Sequence, residues 1–123
     1  MRPMFVKPIE VDVWVRGTQQ ATTRHISLPT AADQWTDADV RTLLTEMLRA
    51  IEREKNPEGE PPPVSLRGFN WIVSPYDSGG VLLHLEVVMG TASAGPFAID
   101  EGRLSAMITR VMAAAPPATP TIH

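Results

Sequence analysis

The chain of 123 residues contains no cysteine. That single absence excludes a disulfide framework, thiolate zinc sites, iron-sulfur ligation and thiol nucleophiles together. It also lacks any run approaching the roughly 18 apolar residues that cross a bilayer. The opening stretch Met1-Arg2-Pro3-Met4-Phe5-Val6-Lys7-Pro8 has no apolar segment resembling a signal peptide. A cytoplasmic protein without membrane contact is the expectation. Positive charge of the gathered kind is missing too. Net charge is -3, and Lys and Arg are scattered from Arg2 to Arg110, so the basic stripe of a nucleic-acid binder is not there.

What is present has the balance of a globular domain, 43% hydrophobic and 20% charged, which argues against wholesale disorder. From Ile9 to Val15 residues alternate strictly: Ile9, Val11, Val13 and Val15 on one side, Glu10, Asp12 and Trp14 on the other. Period two predicts a half-buried strand. After Gly17-Thr18-Gln19-Gln20 a second strand is expected over Ala21 to Leu28, paired with the first as a hairpin and stopped by Pro29.

Trp35-Thr36-Asp37-Ala38-Asp39-Val40 then reads as a helix start. Thr36 is the expected cap, Asp37 and Asp39 oppose the dipole, and Trp35 staples onto Val40. Val40, Leu43, Leu44, Met47, Leu48 and Ile51 recur at three and four, a continuous apolar stripe. The opposite face, with Arg41, Glu46, Arg49, Glu52, Arg53 and Lys55, reads as solvated. The helix should end near Lys55, ahead of Asn56-Pro57-Glu58-Gly59-Glu60-Pro61-Pro62-Pro63.

Beyond that linker the order repeats. A strand is expected from Leu66 to Ser74, a turn at Tyr76 to Gly80, and a strand from Val81 to Thr91. A helix over Glu101 to Ala114 follows, capped by Asp100, with Leu104, Met107, Ile108, Val111 and Met112 as its stripe. The two halves align at offsets of 58, 59 and 64, as a duplicated unit with loop insertions would and as two unrelated units of the same type also would.

The expected fold is therefore α+β: a two-layer ββαββα sandwich, a four-stranded sheet with both helices on one face. Residues 1–114 are expected to form a single domain, with unit one at 5–55, a linker at 56–64 and unit two at 65–114. Residues 115–123 are read as a Pro-rich flexible tail.

If the odd residues of the last strand, Val81 to Met89, face the helices, then Leu82, His84, Glu86 and Val88 face away. Together with Trp14 and Ile72, this makes the outer sheet face richer in apolar groups than solvation requires. Trp14, Ile72, Leu82 and Val88 are accordingly the expected interface, through which the chain forms a homo-oligomer or docks on a protein partner. The same face carries His25, His84 and Glu86, with Glu10 and Asp12 nearby. Imidazole and carboxylate suit zinc or iron, and these are the candidate ligands of a small-molecule or metal site at a subunit interface. Solvated histidines are the preferred reading, so no metal or other cofactor is assigned.

Three near-motifs fail on their chemistry. Gly90-Thr91-Ala92-Ser93-Ala94-Gly95 has the glycine spacing of a phosphate loop, but Pro96 and Phe97 stand where Lys and Ser or Thr are needed, and a flexible connector is preferred. Thr91-Ala92-Ser93-Ala94-Gly95 is a degraded nucleophile elbow lacking its first glycine, with His84 and Asp77 or Asp100 as nominal partners. His84-Leu85-Glu86 has the spacing of a zinc deaminase without the cysteine pair that chemistry needs. No catalytic residue is assigned, and a non-catalytic interaction module or accessory subunit is the functional expectation.

Overall fold

A computed structural model describes residues 8–56, 59, 66, 68–77 and 79–114. The tail expected over 115–123 and most of the linker at 56–64 lie outside these residues.

The alternating N-terminal segment forms β1, Ile9–Val15, and β2 is Thr22–Ile26. After a short 3-10 turn at Ala32–Gln34, α1 runs over Asp37–Lys55. Thr36 caps it reciprocally with Asp39: the Asp39 amide donates to Thr36 Oγ1, and the Thr36 amide donates to Asp39 Oδ2. The chain continues with β3, Asn70–Pro75, then β4, Val81–Val87, β5, Gly90–Phe97, and α2, Glu101–Ala114. At the start of α2 the Arg103 amide donates to Asp100 Oδ2, the cap expected there.

The expected single strand from Val81 to Thr91 is thus corrected to a hairpin. It turns at Val88 and Met89 and returns as β5, so the order is ββαβββα and the antiparallel sheet has five strands, not four. The strand order is β2-β1-β5-β4-β3, which puts the segment expected to be a connector in the centre of the sheet. Small residues hid it, because Ala92 and Ala94 carry the buried side of the alternation too faintly to register as an apolar pattern. Smallness is also what the position requires. A Cβ on Gly90 would collide with the Trp14 carbonyl oxygen and lie 3.1 Å from the Val15 Cα. The second unit is therefore strand-strand-strand-helix. β5 has no counterpart in the first half of the chain.

One buried cluster joins the inner sheet face to both helices. Val11, Val13, Leu83, Leu85 and Ala92 meet Val40, Leu43, Leu44 and Met47 of α1 and Leu104 and Ile108 of α2, all without solvent exposure. Burying each large aliphatic side chain contributes about 1.5–3 kcal/mol. Trp35, 2% exposed, packs edge-on against Phe97 at 5.0 Å between ring centroids, and its indole N–H donates to the Thr30 carbonyl. Arg103 then ties α2 to this turn by donating to the carbonyl oxygens of Asp33 and Trp35.

The helices are also joined through charge. Arg110 donates from Nε and Nη2 to the two Asp37 carboxylate oxygens, each at 2.9 Å. This hydrogen-bonded pairing, with the guanidinium charge behind it, holds the Asp37 carboxyl below the usual carboxylate range. A lowered folded-state pKa adds stability above the unfolded-state value and loses it as pH falls through the folded one. Asp37→Asn is expected to lower the thermal midpoint slightly at neutral pH, with the difference from the parent disappearing at acidic pH. Paired melting curves across that range check this. A difference that persists in acid would mean the pair is not its source.

Among the described residues no helix is long and apolar enough to cross a membrane.

Candidate functional site on the outer sheet face

Because both helices cover one face of the sheet, the register alone decides what the other face presents. Antiparallel pairing lines up Thr23, Asp12, Ser93, His84 and Ile72 as one row across all five strands. The next row is Trp14, Thr91, Glu86 and Asn70. Directly opposed residues on one face sit about 4.5–5.5 Å apart, so each row is a continuous track of side chains.

Two bonds organise the first row. Thr23 Oγ1 donates to Asp12 Oδ1 at 2.8 Å, and His84 Nδ1 pairs with Ser93 Oγ at 2.6 Å. Around His84 is a hollow of about 180 Å³ lined by Asn70, Ile72, Glu86, Thr91 and Ser93. His84 and Glu86, two apart on β4, therefore share one small recess whose surface is mostly apolar. His25 does not join them. It sits on the edge strand β2, three interstrand spacings or about 14 Å away, beside Glu10 at 3.8 Å with both side chains more than half exposed. Among the described residues no three His, Asp or Glu side chains come together closely enough to hold a metal ion.

The apolar residues expected to form the interface fall into two groups. Ile72, 60% exposed, and the half-buried Leu82 are diagonal neighbours across β3 and β4. Trp14, 39% exposed, lies towards the other end of the face, where the β4–β5 turn also exposes Met89. Two expectations change here. Val88, 78% exposed, belongs to that turn and not to the sheet face, and Met89 is exposed beside it instead of facing the helices. The cause is again the hairpin, which breaks the alternation of β4 after Val87. Trp14 is held in place, since its indole N–H donates to the Thr18 carbonyl at 3.0 Å. The ring is left as an oriented apolar plate with its one polar group satisfied.

The Ser93 and His84 contact has no hydrolase geometry around it. Ser93 lies in mid-strand, not on a tight turn, and the ladders to β1 and β4 occupy the backbone donors that an oxyanion hole would need. Asp100 caps α2 and Asp77 sits in the β3–β4 turn. The phosphate-loop spacing of Gly90 and Gly95 likewise lies within an extended strand that cannot curl around a phosphate. Ser93, Thr91 and Asn70 line the recess without having been singled out for it. Thr91 and Ser93 alternate with Ala92 and Ala94, a polar-small period of two that marks their shared face only once the segment is known to be a strand.

Comparison with family models, with curated proteins and with solved structures finds no match to this chain.

Proposed function

We propose that the chain is a non-catalytic protein-interaction module, an accessory or assembly subunit that works through the outer sheet face as a homo-oligomer. The observation that carries this reading is Trp14: a large ring, partly exposed on a face that no described element covers, with its indole N–H already bonded within its own chain. Immobilised aromatic groups of this kind anchor interfaces, because little conformational entropy is lost on docking. Ile72 and Leu82 give a second apolar contact on the same face.

A second reading rests on the recess at His84. Its largely apolar surface, with Glu86 and Ser93 beside the imidazole, suits a ligand of only a few atoms, and a second copy would be needed to enlarge it and bring His25 to it. One preparation separates the two. Protein purified without chelator and run through size exclusion with light scattering is expected to be a dimer free of stoichiometric metal, and Trp14→Ala is expected to weaken the dimer at least tenfold. A monodisperse monomer at high concentration would sink the first reading. Stoichiometric metal that vanishes in His84→Ala would favour the second.

A further inference from the structure

A different surface of the molecule carries its own recognition chemistry. In the strand order β2-β1-β5-β4-β3, β2 is an edge, and among the described residues its outward backbone has no hydrogen-bond partner. Edge strands with free backbone groups are templates for pairing unless something covers them. Here α1 runs alongside without closing over it. Glu54 fastens the two at one end, accepting from Thr22 Oγ1 at 2.9 Å and from Arg24 Nε and Nη2 at 3.1 and 2.9 Å. Past that bridge a cleft of about 440 Å³ opens between β2 and the helix.

Its helical wall is Thr42, Glu46, Ala50 and Arg53, spaced at four, four and three along one side of α1. The wall is about 16 Å long beside about 13 Å of strand edge, Thr23 to Ser27. That is room for about five residues of extended chain. Ala50 is the reason for the space, being a methyl group in a row of longer side chains, and Ile26 gives an apolar floor. The charge of the cleft is positive. Arg24 is matched by Glu54 and Glu46 by Arg49, whereas Arg53 forms no ion pair among the described residues and is exposed. The hydroxyls of Thr23 and Thr42 spend their protons within the chain, on Asp12 Oδ1 and the Ala38 carbonyl, so Arg53 is the donor the cleft offers to a ligand.

We propose that this cleft receives an extended acidic segment of a partner protein by strand addition, its backbone completing the edge of β2 and a carboxylate reaching Arg53. Main-chain pairing supplies affinity in this mode, and alternate side chains supply selectivity. A second copy of β2 is the poorer occupant, because Thr22–Ile26 carries no carboxylate to meet Arg53.

The test uses the full chain, isotope-labelled, and two terminally blocked hexapeptides, Val-Glu-Val-Glu-Val-Glu and Val-Lys-Val-Lys-Val-Lys. The acidic peptide is expected to shift amide resonances of β2 and of the Thr42 to Arg53 row and to slow amide exchange along β2. The basic peptide should do neither. Arg53→Glu, at an exposed position that leaves the circular dichroism unchanged, should weaken binding roughly fivefold. Any of four results overturns the proposal: no shifts at millimolar peptide, an equal response to both peptides, shifts confined to the outer sheet face, or β2 amides already protected in a peptide-free dimer. None of these depends on Trp14, so failure here and failure of the outer-face reading are told apart.

Discussion

Gly90→Ala is expected to destabilise the protein by about 2–4 kcal/mol, a large share of what a domain of this size has. The cost is steric. Gly90 stands opposite Val15 on β1 and Val87 on β4, and its missing Cβ is the space into which the Trp14 carbonyl projects. Its φ is not in the left-handed region, so conformational freedom is not the reason for glycine here. An added methyl group must push β1 away from β5 or twist the start of the central strand, and the ladder hydrogen bonds between them lengthen either way. Urea denaturation checks the expectation, with a lower midpoint at an unchanged slope. A midpoint matching the parent's would mean that β1 and β5 do not approach as placed.

A comparable loss is expected from Leu83→Glu, and almost none from its neighbour Leu82→Glu. Leu83 has no exposed surface and lies among the aliphatic side chains beneath the helices. A carboxylate there has no partner, and burying it costs about 3–5 kcal/mol or forces it to take up a proton. Leu82 points to the other face, where it is half-buried and a Cβ on Gly95 would lie 3.2 Å from its Cδ2. Its replacement should leave the monomer folded, within about 1 kcal/mol of the parent. Under the proposed function it also dissociates the oligomer, since it adds charge to a surface already bearing Glu10, Asp12 and Glu86. Circular dichroism with light scattering on the two variants separates fold from assembly. If Leu82→Glu unfolds the chain while Leu83→Glu is tolerated, the faces of β4 are reversed.

The helices and the first strand were legible because their signals are local. The caps at Thr36 and Asp100, the stripes from Val40 to Ile51 and from Leu104 to Val111, and the strict alternation of β1 each follow from residues within a few turns or pleats. The termini of α1 and α2 fall where the capping and linker residues put them. β5 was not legible by the same logic. Apart from Phe97 at its end its buried side chains are alanines, it opens on glycine and bulges at Gly95-Pro96 opposite Leu82, and its propensity for strand is poor. Such a segment is stable as a strand only because β1 and β4 pair with it on both sides.

The site divides along the same line. Which residues leave the core on β1 and β4 is a matter of period two, so Trp14, Leu82, His84 and Glu86 were placed on the outer face from the sequence. Their neighbours across the sheet depend on strand order. Only the pairing of β4 with β5 sets Ser93 on His84, only the position of β2 at the far edge keeps His25 about 14 Å away, and only the turn at Val88 removes that residue from the face. The cleft beside β2 is likewise tertiary, made where an alanine on α1 passes the outer edge of a strand that pairs on its other side with β1. By itself the sequence determined the periodicity of each element, and hence which side of it is buried, because that is fixed within a few residues of chain. Strand order, the central β5 and every contact between rows were decided by long-range pairing, whose energy comes from backbone ladders and close packing that no local pattern encodes.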